Sequence, residues 1–262
     1  MRTALAFSFA LVSFLALGQP QFNSIPWLSN QYVVYTNLTH GLTSWYAMTE
    51  GSGTTIHDLQ SGLNGTLETC GWMSATPGPG PCVIIGNGGD IVAPSQGQTN
   101  FSLAASTITF SWLCWWTNTS FTANTYAFHI QGGTKGPPSD IFGCALKSNN
   151  EWNFTAAAFS WSIGPTFFSG ADWGHWMWCV LEYSSGACNF YTNGVFVGTT
   201  TGITCSGNNN GSLIIGSPVT NSAGGAQSWR GKMADFRIYN NYLPTQAEIS
   251  QMAGYYHSLG WF

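Results

Sequence analysis

The spacing of the apolar segments is the feature that most constrains how this chain can fold. From Gly41 onward, short apolar or Thr-rich runs recur about every 8–15 residues, and Gly, Asn, Pro or Ser residues separate them. Residues 41–67 show the pattern: an apolar run, a turn at 51–53, a Thr-rich run and a second turn at 62–65. This spacing is typical of strands joined by turns, and it predicts a sandwich or barrel rather than alternating strands and helices.

Two local signals predict individual elements. Asn193 and Gly194 lie between two β-prone runs, and this dipeptide predicts a hairpin with a type I′ turn, which needs positive φ at both positions. Near the C-terminus, Thr245 is placed to cap a helix and Glu248 follows three residues later, which is the pattern of a capping box. We therefore expect one short helix over residues 246–253.

Composition excludes several classes of protein. Only 6% of the 262 residues are charged, against roughly 25% in an ordinary soluble domain. The chain carries 13 Trp, 10 Tyr and 17 Phe, whereas disordered chains are poor in aromatic residues. The net charge of −4 provides no basic surface, so we expect no nucleic-acid partner. A surface this poor in charge favours association, which predicts a homo-oligomer or packing against neighbouring subunits of a virion or envelope.

Six further segments follow the opening pattern in a fixed order. They are GDIV at 89–92, TITFSWLCWW at 107–116, and the segments at 173–183, 190–198, 213–217 and 229–252. Together these segments resemble the laminin-G-like, concanavalin A-like jelly-roll family, over about residues 41–252. The resemblance implies an all-β fold in which two antiparallel sheets form a jelly-roll sandwich with one short C-terminal helix. It implies little about chemistry, because this scaffold hosts binding modules, adhesins, phage proteins and a few enzymes.

The first residues differ from the rest of the chain. Arg2 precedes an apolar run over residues 3–17, and small residues at 16 and 18 fit a cleavage site before Gln19. Residues 1–18 are therefore predicted to be a signal peptide. The alternative is an apolar N-terminal arm, because large and small side chains alternate there as they do in a strand. Residues 19–40 are interpreted as a lead-in segment, and residues 41–262 as the jelly-roll domain.

Seven cysteines are present, and no two of them form a C-x-x-C pair, which argues against zinc. The pair Cys70 and Cys82 flanks a proline-rich loop, and the pair Cys188 and Cys205 flanks the predicted hairpin, so each is a candidate disulfide. Cys114 and Cys179 lie in apolar strands and are predicted to be buried thiols. Disulfides would fit an oxidising compartment, whereas seven reduced thiols would fit assembly in a cytosol.

No arrangement of residues predicts catalysis. Hydrolysis of a glycoside usually needs two carboxylates close together, and enzymes on this jelly roll place them as Glu-x-Asp-x-x-Glu on one strand, a pattern that is absent here. Glu50 and Asp58 are eight positions apart, and Asp172 and Glu182 are ten apart. The histidines show no metal-binding spacing, and no G-x-S-x-G motif is present. We therefore expect a protein that is not an enzyme.

The resemblance also raises structural calcium as an option, although no cofactor is required. Asp58, Asp90 and Asp235 lie at positions that match acidic positions of the family, and calcium prefers carboxylate and carbonyl oxygens near turns. The alternative, which the residues favour, is that Asp58 caps a turn and that Asp235 pairs with Arg237 or Lys232.

Loop aromatics and amides are the candidates for ligand binding, because flat rings stack on the C–H groups of sugars and amides orient the hydroxyls. The candidates are Trp72, Trp152, Asn153, Trp161 and Trp173. The alternative is that most of the tryptophans are packing residues of a sandwich core.

The sequence thus predicts a non-catalytic recognition or structural module that binds glycan or surface-protein partners. We expect it to be extracellular or at a cell surface. The alternative is a structural protein of a phage virion, such as a tail fibre, head fibre or capsid decoration. A secreted enzyme acting on glycosides is the least favoured reading.

Overall fold

The computed structural model describes residues 39–262 except 76–77, 87–88, 94–106, 117–124, 132–139, 147–151, 157–158, 164–173, 204–211 and 218–227. The described part of the chain contains the strands β1 (Leu42–Tyr46), β2 (Thr55–Ile56), β3 (Gly65–Glu68), β4 (Gly71–Ala75), β5 (Gly80–Ile85), β6 (Asp90–Ala93), β7 (Thr107–Trp116), β8 (Thr125–Gln131), β9 (Asp140–Leu146), β10 (Trp152–Ala156), β11 (Phe159–Ile163), β12 (Trp176–Ser184), β13 (Ala187–Thr192), β14 (Val195–Thr201), β15 (Ser212–Ile215) and β16 (Gly231–Asn240), followed by the helix α1 (Gln246–Ser258). The predicted signal peptide or arm at 1–18, and all but the last two residues of the lead-in segment, lie outside this part and stay predictions.

The strands form two antiparallel sheets. Sheet A has the order β14-β13-β12-β7-β16-β5-β4, and β1 also pairs with β16. Sheet B has the order β11-β10-β9-β8-β15-β6-β3-β2. Strands that are distant in sequence, such as β7 and β16, are neighbours in sheet A. The predicted all-β sandwich of two antiparallel sheets is therefore confirmed.

The core lies between the two sheets and is built largely from aromatic rings. Along β7 the side chains alternate between the two faces, so Phe110 and Trp112 both point into the core. The Trp112 ring packs edge-to-face on Trp152 of β10 at 5.8 Å, and Trp152 contacts Phe190 of β13 at 4.9 Å between ring centroids. Rings of this size bury a large apolar area each, so they hold the sheets together even though few charges are available.

The hairpin between β13 and β14 turns at Asn193 and Gly194, whose φ angles of 48° and 84° are both positive. This geometry confirms the predicted type of turn. The Asn193 side chain accepts a hydrogen bond of 2.9 Å from the backbone N–H of Trp178. A Cβ atom at position 194 would lie 2.6 Å from the Cβ of Ala253, so only glycine lets the turn pack this closely on α1.

Helix α1 begins as the sequence predicts, with Thr245 as N-cap and Glu248 completing the capping box. It extends to Ser258, five residues beyond the predicted end, because Tyr255 and Tyr256 are buried where the last turns pack on the domain. In the described ranges, no helix is long and apolar enough to cross a membrane.

Asp235 anchors α1 to the outer face of sheet A. It lies in a β-bulge of β16 and has a φ of 50°. Its carboxylate accepts hydrogen bonds from Nε of Arg237 at 2.7 Å, from Nε1 of Trp45 at 2.7 Å and from the Tyr256 hydroxyl. The Arg237 guanidinium lies over the Trp45 ring, 4.6 Å from its centroid. One buried carboxylate thus ties together β1, β16 and the helix.

Candidate functional site

Polar side chains cross the outer face of sheet A in one line. The register of the strands places Thr199 of β14 opposite Asn189 of β13, Asn189 opposite Glu182 of β12, and Glu182 opposite Thr109 of β7. Because neighbouring strands are about 4.8 Å apart, the four residues span about 14 Å. We call Thr199, Asn189, Glu182 and Thr109 the outer polar row.

Hydrogen bonds link the members of the outer polar row. The Thr199 hydroxyl donates to Oδ1 of Asn189 at 2.6 Å, and Nδ2 of Asn189 donates to Oε2 of Glu182 at 3.4 Å. The Tyr191 hydroxyl donates to the same Glu182 oxygen at 3.0 Å. Thr109 uses its hydroxyl to donate to the carbonyl of Tyr242 at 2.9 Å. These contacts fix the orientation of an amide and a carboxylate on the outer face of sheet A.

Glu182 is the carboxylate of this row, and only 4% of it is exposed. Its Oε1 atom has no hydrogen-bond partner among the residues that the structure describes. Burial raises the pKa of Glu182, because removing a carboxylate from water disfavours its charged form. The hydrogen bonds from Tyr191 and Asn189 act in the opposite direction. The row therefore holds a partly unsatisfied acceptor next to an amide.

Two aromatic rings lie beside the outer polar row. Phe196 of β14 pairs with Tyr191 of β13, and the two rings meet edge-to-face at 5.4 Å. Phe196 is 50% exposed although phenylalanine is strongly apolar. Its neighbour Val195 is 66% exposed. An exposed ring next to oriented polar groups is the combination expected where a ligand with both apolar and hydroxyl-bearing surfaces binds.

Next to the outer polar row, on the side where Val180 and Ser111 lie, a shallow cleft separates sheet A from α1. Its enclosed volume is about 10 Å³, which is room for little more than one water molecule. Its lining comprises Thr109, Ser111, Trp178, Val180, Tyr239, Pro244, Glu248 and Ile249. Thr109 belongs to both the cleft and the row, although the rest of the cleft lining is mostly apolar.

The predicted ligand-binding residues fall in different places. Trp152 is wholly buried in the core, so its prediction as a ligand contact is wrong: an inward position on β10 makes it a packing residue. Asn153 is also buried, and neither of its amide atoms has a hydrogen-bond partner in the described part. Trp72 lies half-buried on the edge strand β4 and donates its indole N–H to the Gly53 carbonyl at 2.8 Å. The Trp161 side chain and Trp173 lie outside the described residues.

The Cys70–Cys82 disulfide is not formed, and this prediction is corrected by the register of β4 and β5. Cys82 lies opposite Met73, three residues beyond Cys70, and this separation amounts to about 10 Å along the strand. A disulfide needs Cα atoms within about 7 Å. The Cys70 thiol instead contacts the Asp90 carbonyl at 3.2 Å, and burial raises its pKa to about 12.

The other cysteine predictions have different outcomes. Cys114 and Cys179 are buried thiols, as predicted, with their sulfur atoms 3.9 Å apart. Burial raises the pKa of Cys179 well above its usual value. Cys188 is buried in β13, and its predicted partner Cys205 lies outside the described residues, so that disulfide stays a prediction.

Two of the three aspartates considered for calcium already accept hydrogen bonds from N–H groups of the protein, and the third is buried in sheet B. Oδ1 of Asp58 accepts the backbone N–H groups of Trp45 and Gln60, both at 2.9 Å, which makes it a turn cap. Asp235 pairs with Arg237, as the alternative predicted. Asp90 is buried on β6 opposite Glu68. Because Asp58 and Asp235 are already occupied by N–H donors, they do not fit a calcium site, and the described residues include no group of three metal-ligating side chains.

The acids that the sequence analysis considered for catalysis lie in different parts of the described structure. Glu50 accepts the backbone N–H of His57 at 2.7 Å and contacts the His57 ring at 3.3 Å, within the turn that leads to Asp58. Glu182 lies on the outer face of sheet A, and Asp172 is outside the described residues.

The sequence contained part of the signal for the outer polar row. The Asn–Gly turn sets Thr192 opposite Val195, and simple counting from there would place Asn189 opposite Gly198. A β-bulge between Phe190 and Tyr191 shifts the register by one residue and brings Thr199 opposite Asn189 instead. Because the bulge has no strong local sequence signal, the row was missed.

Solved structures with the same fold come from several proteins. Domain 4 of AbnA, an extracellular GH43 arabinanase from Geobacillus stearothermophilus solved with arabinotriose, matches with a TM-score of 0.59 and 18% identity, over 81% of this chain and 98% of that domain. Trypanosoma rangeli sialidase in complex with sialic acid matches with a TM-score of 0.62 and 16% identity, over 84% of this chain. The binding domain of Paraclostridial Mosquitocidal Protein 1 matches with a TM-score of 0.61 and 14% identity, over 82% of this chain and 52% of that one.

The chain spans about a third of the length of the sialidase, 33%, so the match concerns one part of that protein. At these identities the likeness shows the fold alone. No curated protein matches the chain in sequence. A family model described as the concanavalin A-like lectin/glucanases superfamily matches residues 86–250, which is more than half of the chain. The chain therefore belongs to the concanavalin A-like lectin/glucanase superfamily.

Proposed function

We propose that this protein is a non-catalytic module that binds carbohydrate through the outer polar row and Phe196. The observation that carries the proposal is the linked set of Thr199, Asn189 and Glu182 beside a ring that is 50% exposed. Sugars present hydroxyl groups at their edges and C–H groups on their faces. A surface that offers oriented hydrogen-bonding groups next to a flat apolar ring is complementary to both.

The hydrogen bonds of Asn189 favour binding because they reduce the cost of ordering its side chain. Oδ1 accepts from Thr199 and Nδ2 donates to Glu182, so the amide is held in place before a ligand arrives. One N–H of the amide is not needed for these contacts and can donate to a sugar hydroxyl. A group that is already oriented loses less entropy on binding than a mobile one.

The lack of a second carboxylate on the strands that carry the row supports the non-catalytic part of the proposal. Glu182 is the sole acid in the sequences of β7, β12, β13 and β14. Glu248, which lines the neighbouring cleft, is held by the Tyr242 hydroxyl at 2.6 Å and by the backbone N–H of Thr245 at 2.7 Å. Glycoside hydrolysis normally requires an acid and a base or nucleophile on opposite sides of the bond.

The comparisons give support at the level of the fold. The AbnA domain was solved as a complex with arabinotriose, and nearly all of that domain matches this chain. The same scaffold carries many functions, so the likeness raises the expectation of glycan binding without identifying the ligand.

The experiment that tests this proposal is a glycan array probed with the full chain, followed by calorimetric titration of the strongest hit. We expect Phe196→Ala and Asn189→Ala each to weaken binding about tenfold, since each removes one type of contact. Val195→Ala is the matched control, because Val195 lies on the same hairpin and is more exposed but pairs with Thr192 instead of Tyr191. If the folded wild-type protein bound no glycan on the array, that result would contradict the proposal. Equal binding by all three variants would contradict it as well.

A further inference from the structure

We infer that the glycan bound by the outer polar row is uncharged, and that sugars carrying a carboxylate are rejected. This inference rests on the proposed function and specifies the class of ligand that the same site would take. It comes from the charges on and around the row.

The strands that build the site hold no cation. In sequence, β7, β12, β13 and β14 contain no lysine and no arginine, and Glu182 is their one charged residue. Recognition of a carboxylate typically uses arginine, whose planar group donates two parallel hydrogen bonds, or the point charge of lysine. Neither residue is available on these strands to pair with an acidic sugar.

The basic residues of β16 are already engaged. The ammonium of Lys232 lies over the Trp115 ring at 4.3 Å, and the guanidinium of Arg237 is buried in its pair with Asp235. Arg237 is 4% exposed, so it cannot turn towards the row without breaking the contacts that hold α1. Neighbouring β16 therefore supplies no free cation to the site.

Glu182 adds a direct penalty for an anionic ligand. Its carboxylate lies at the centre of the row between Asn189 and Thr109, and it is almost wholly removed from water. Two like charges that approach in a poorly hydrated site repel each other more strongly than they would in bulk water.

The remaining groups of the row fit a pair of neighbouring hydroxyls. Asn189 retains one N–H donor, and the oxygen of Thr199, which is exposed, retains acceptor capacity. A sugar hydroxyl can accept from the first while the next donates to the second. Phe196 would then contact the C–H face of the same ring.

The test uses a glycan array in which each neutral oligosaccharide is paired with its sialylated or uronic-acid form, such as lactose with 3′-sialyllactose. The pair with the strongest signal is then titrated calorimetrically with the full chain at low and physiological salt. We expect the neutral member to bind at least about tenfold more tightly, since juxtaposed like charges suppress the wrong partner. We also expect its affinity to change little with salt.

Glu182→Gln separates the charge effect from the shape of the ligand. The amide keeps the size of the side chain, so the ratio of the two dissociation constants should fall towards one, whatever happens to the neutral affinity itself. Val195→Ala should leave the ratio unchanged. Equal or tighter binding of the acidic member would overturn the inference alone, and an unchanged ratio in Glu182→Gln would overturn the role given to the carboxylate. Binding of no glycan at all would overturn the proposed function.

Discussion

At the scale of single residues, Glu182 links the chemistry of the site to the stability of the fold. Its pKa is raised by burial, so the native state binds the proton more tightly than the unfolded chain does. The contribution of this group to the free energy of unfolding is therefore greatest below its unfolded pKa and falls as the pH rises through the native pKa. Above the native pKa the charged form is kept at a cost to stability.

Replacing Glu182 by Gln should remove that cost. We expect the variant to melt at a higher temperature than the wild type at pH 7, and the difference to shrink as the pH is lowered towards about 4, because the raised pKa lets the folded protein take up this proton before the unfolded chain does. Thermal unfolding followed by circular dichroism between these pH values measures the difference in melting temperature. A variant that is less stable than the wild type at pH 7 would show that the hydrogen bonds from Tyr191 and Asn189 outweigh burial.

The pKa of Glu248 is shifted in the opposite direction to that of Glu182. The hydrogen bond from the Tyr242 hydroxyl lowers its pKa, so its contribution to stability is present above the unfolded pKa and is lost as the pH falls through the native one. Glu248→Gln should therefore be less stable than the wild type at pH 7, and the two proteins should converge at low pH. The two substitutions are chemically identical, so opposite pH trends can be traced to the surroundings of each carboxylate.

Trp152 tests whether the aromatic residues serve packing or binding. Trp152→Ala should lower the free energy of unfolding by about 3–5 kcal/mol, because a large cavity would open between Trp112 and Phe190. Urea denaturation measures this, and Trp152→Phe should lose less. If the alanine variant unfolded at the wild-type urea concentration, Trp152 could not be a core residue.

At the scale of elements, α1 is held by its cap and by the Tyr256 hydroxyl. Tyr256→Phe removes one donor to the buried Asp235 carboxylate, and it should cost about 1.5–3 kcal/mol, the usual contribution of a hydrogen bond to a charged group. Urea denaturation measures this cost. His257→Ala, at an exposed neighbouring position of the helix, is the control and should change stability by no more than about 0.5 kcal/mol. Equal effects of both variants would mean that Asp235 does not anchor the helix.

Turns and helix caps with strong local signals were predictable from the sequence. The residue-by-residue pairing of strands was harder to predict. The Asn193–Gly194 turn and the Thr245 cap are local, because their neighbours in sequence determine their conformation. The pairing of Cys82 with Met73 and of Asn189 with Thr199 depends on register, which a single bulge or a shifted strand changes. The fold was therefore predictable, whereas the disulfide and the position of the site were not.

At the scale of the whole molecule, sandwiches of this fold can differ widely in sequence, because their core requires only that apolar residues alternate along each strand. The structures that share the fold have identities of 14–18% with this chain. Residues on the outer faces are free of that requirement, so they can change with the ligand. Membership of the family therefore determines the architecture of this protein, whereas the proposed binding role of the outer polar row depends on the contacts of its own residues.

The low charge of the molecule predicts self-association. Only 6% of its residues are charged and its pI is near 5.6, so electrostatic repulsion between copies is weak and disappears near that pH. The exposed Val195 and Phe196 lie on β14, an edge strand of sheet A, and such edges favour pairing with another chain. Sedimentation velocity should show a larger oligomeric fraction at pH 5.6 than at pH 8, and added salt should narrow the difference by screening the net charge at pH 8. Phe196→Lys should reduce that fraction at both pH values, whereas a wild-type protein that stays monomeric at pH 5.6 would contradict the prediction.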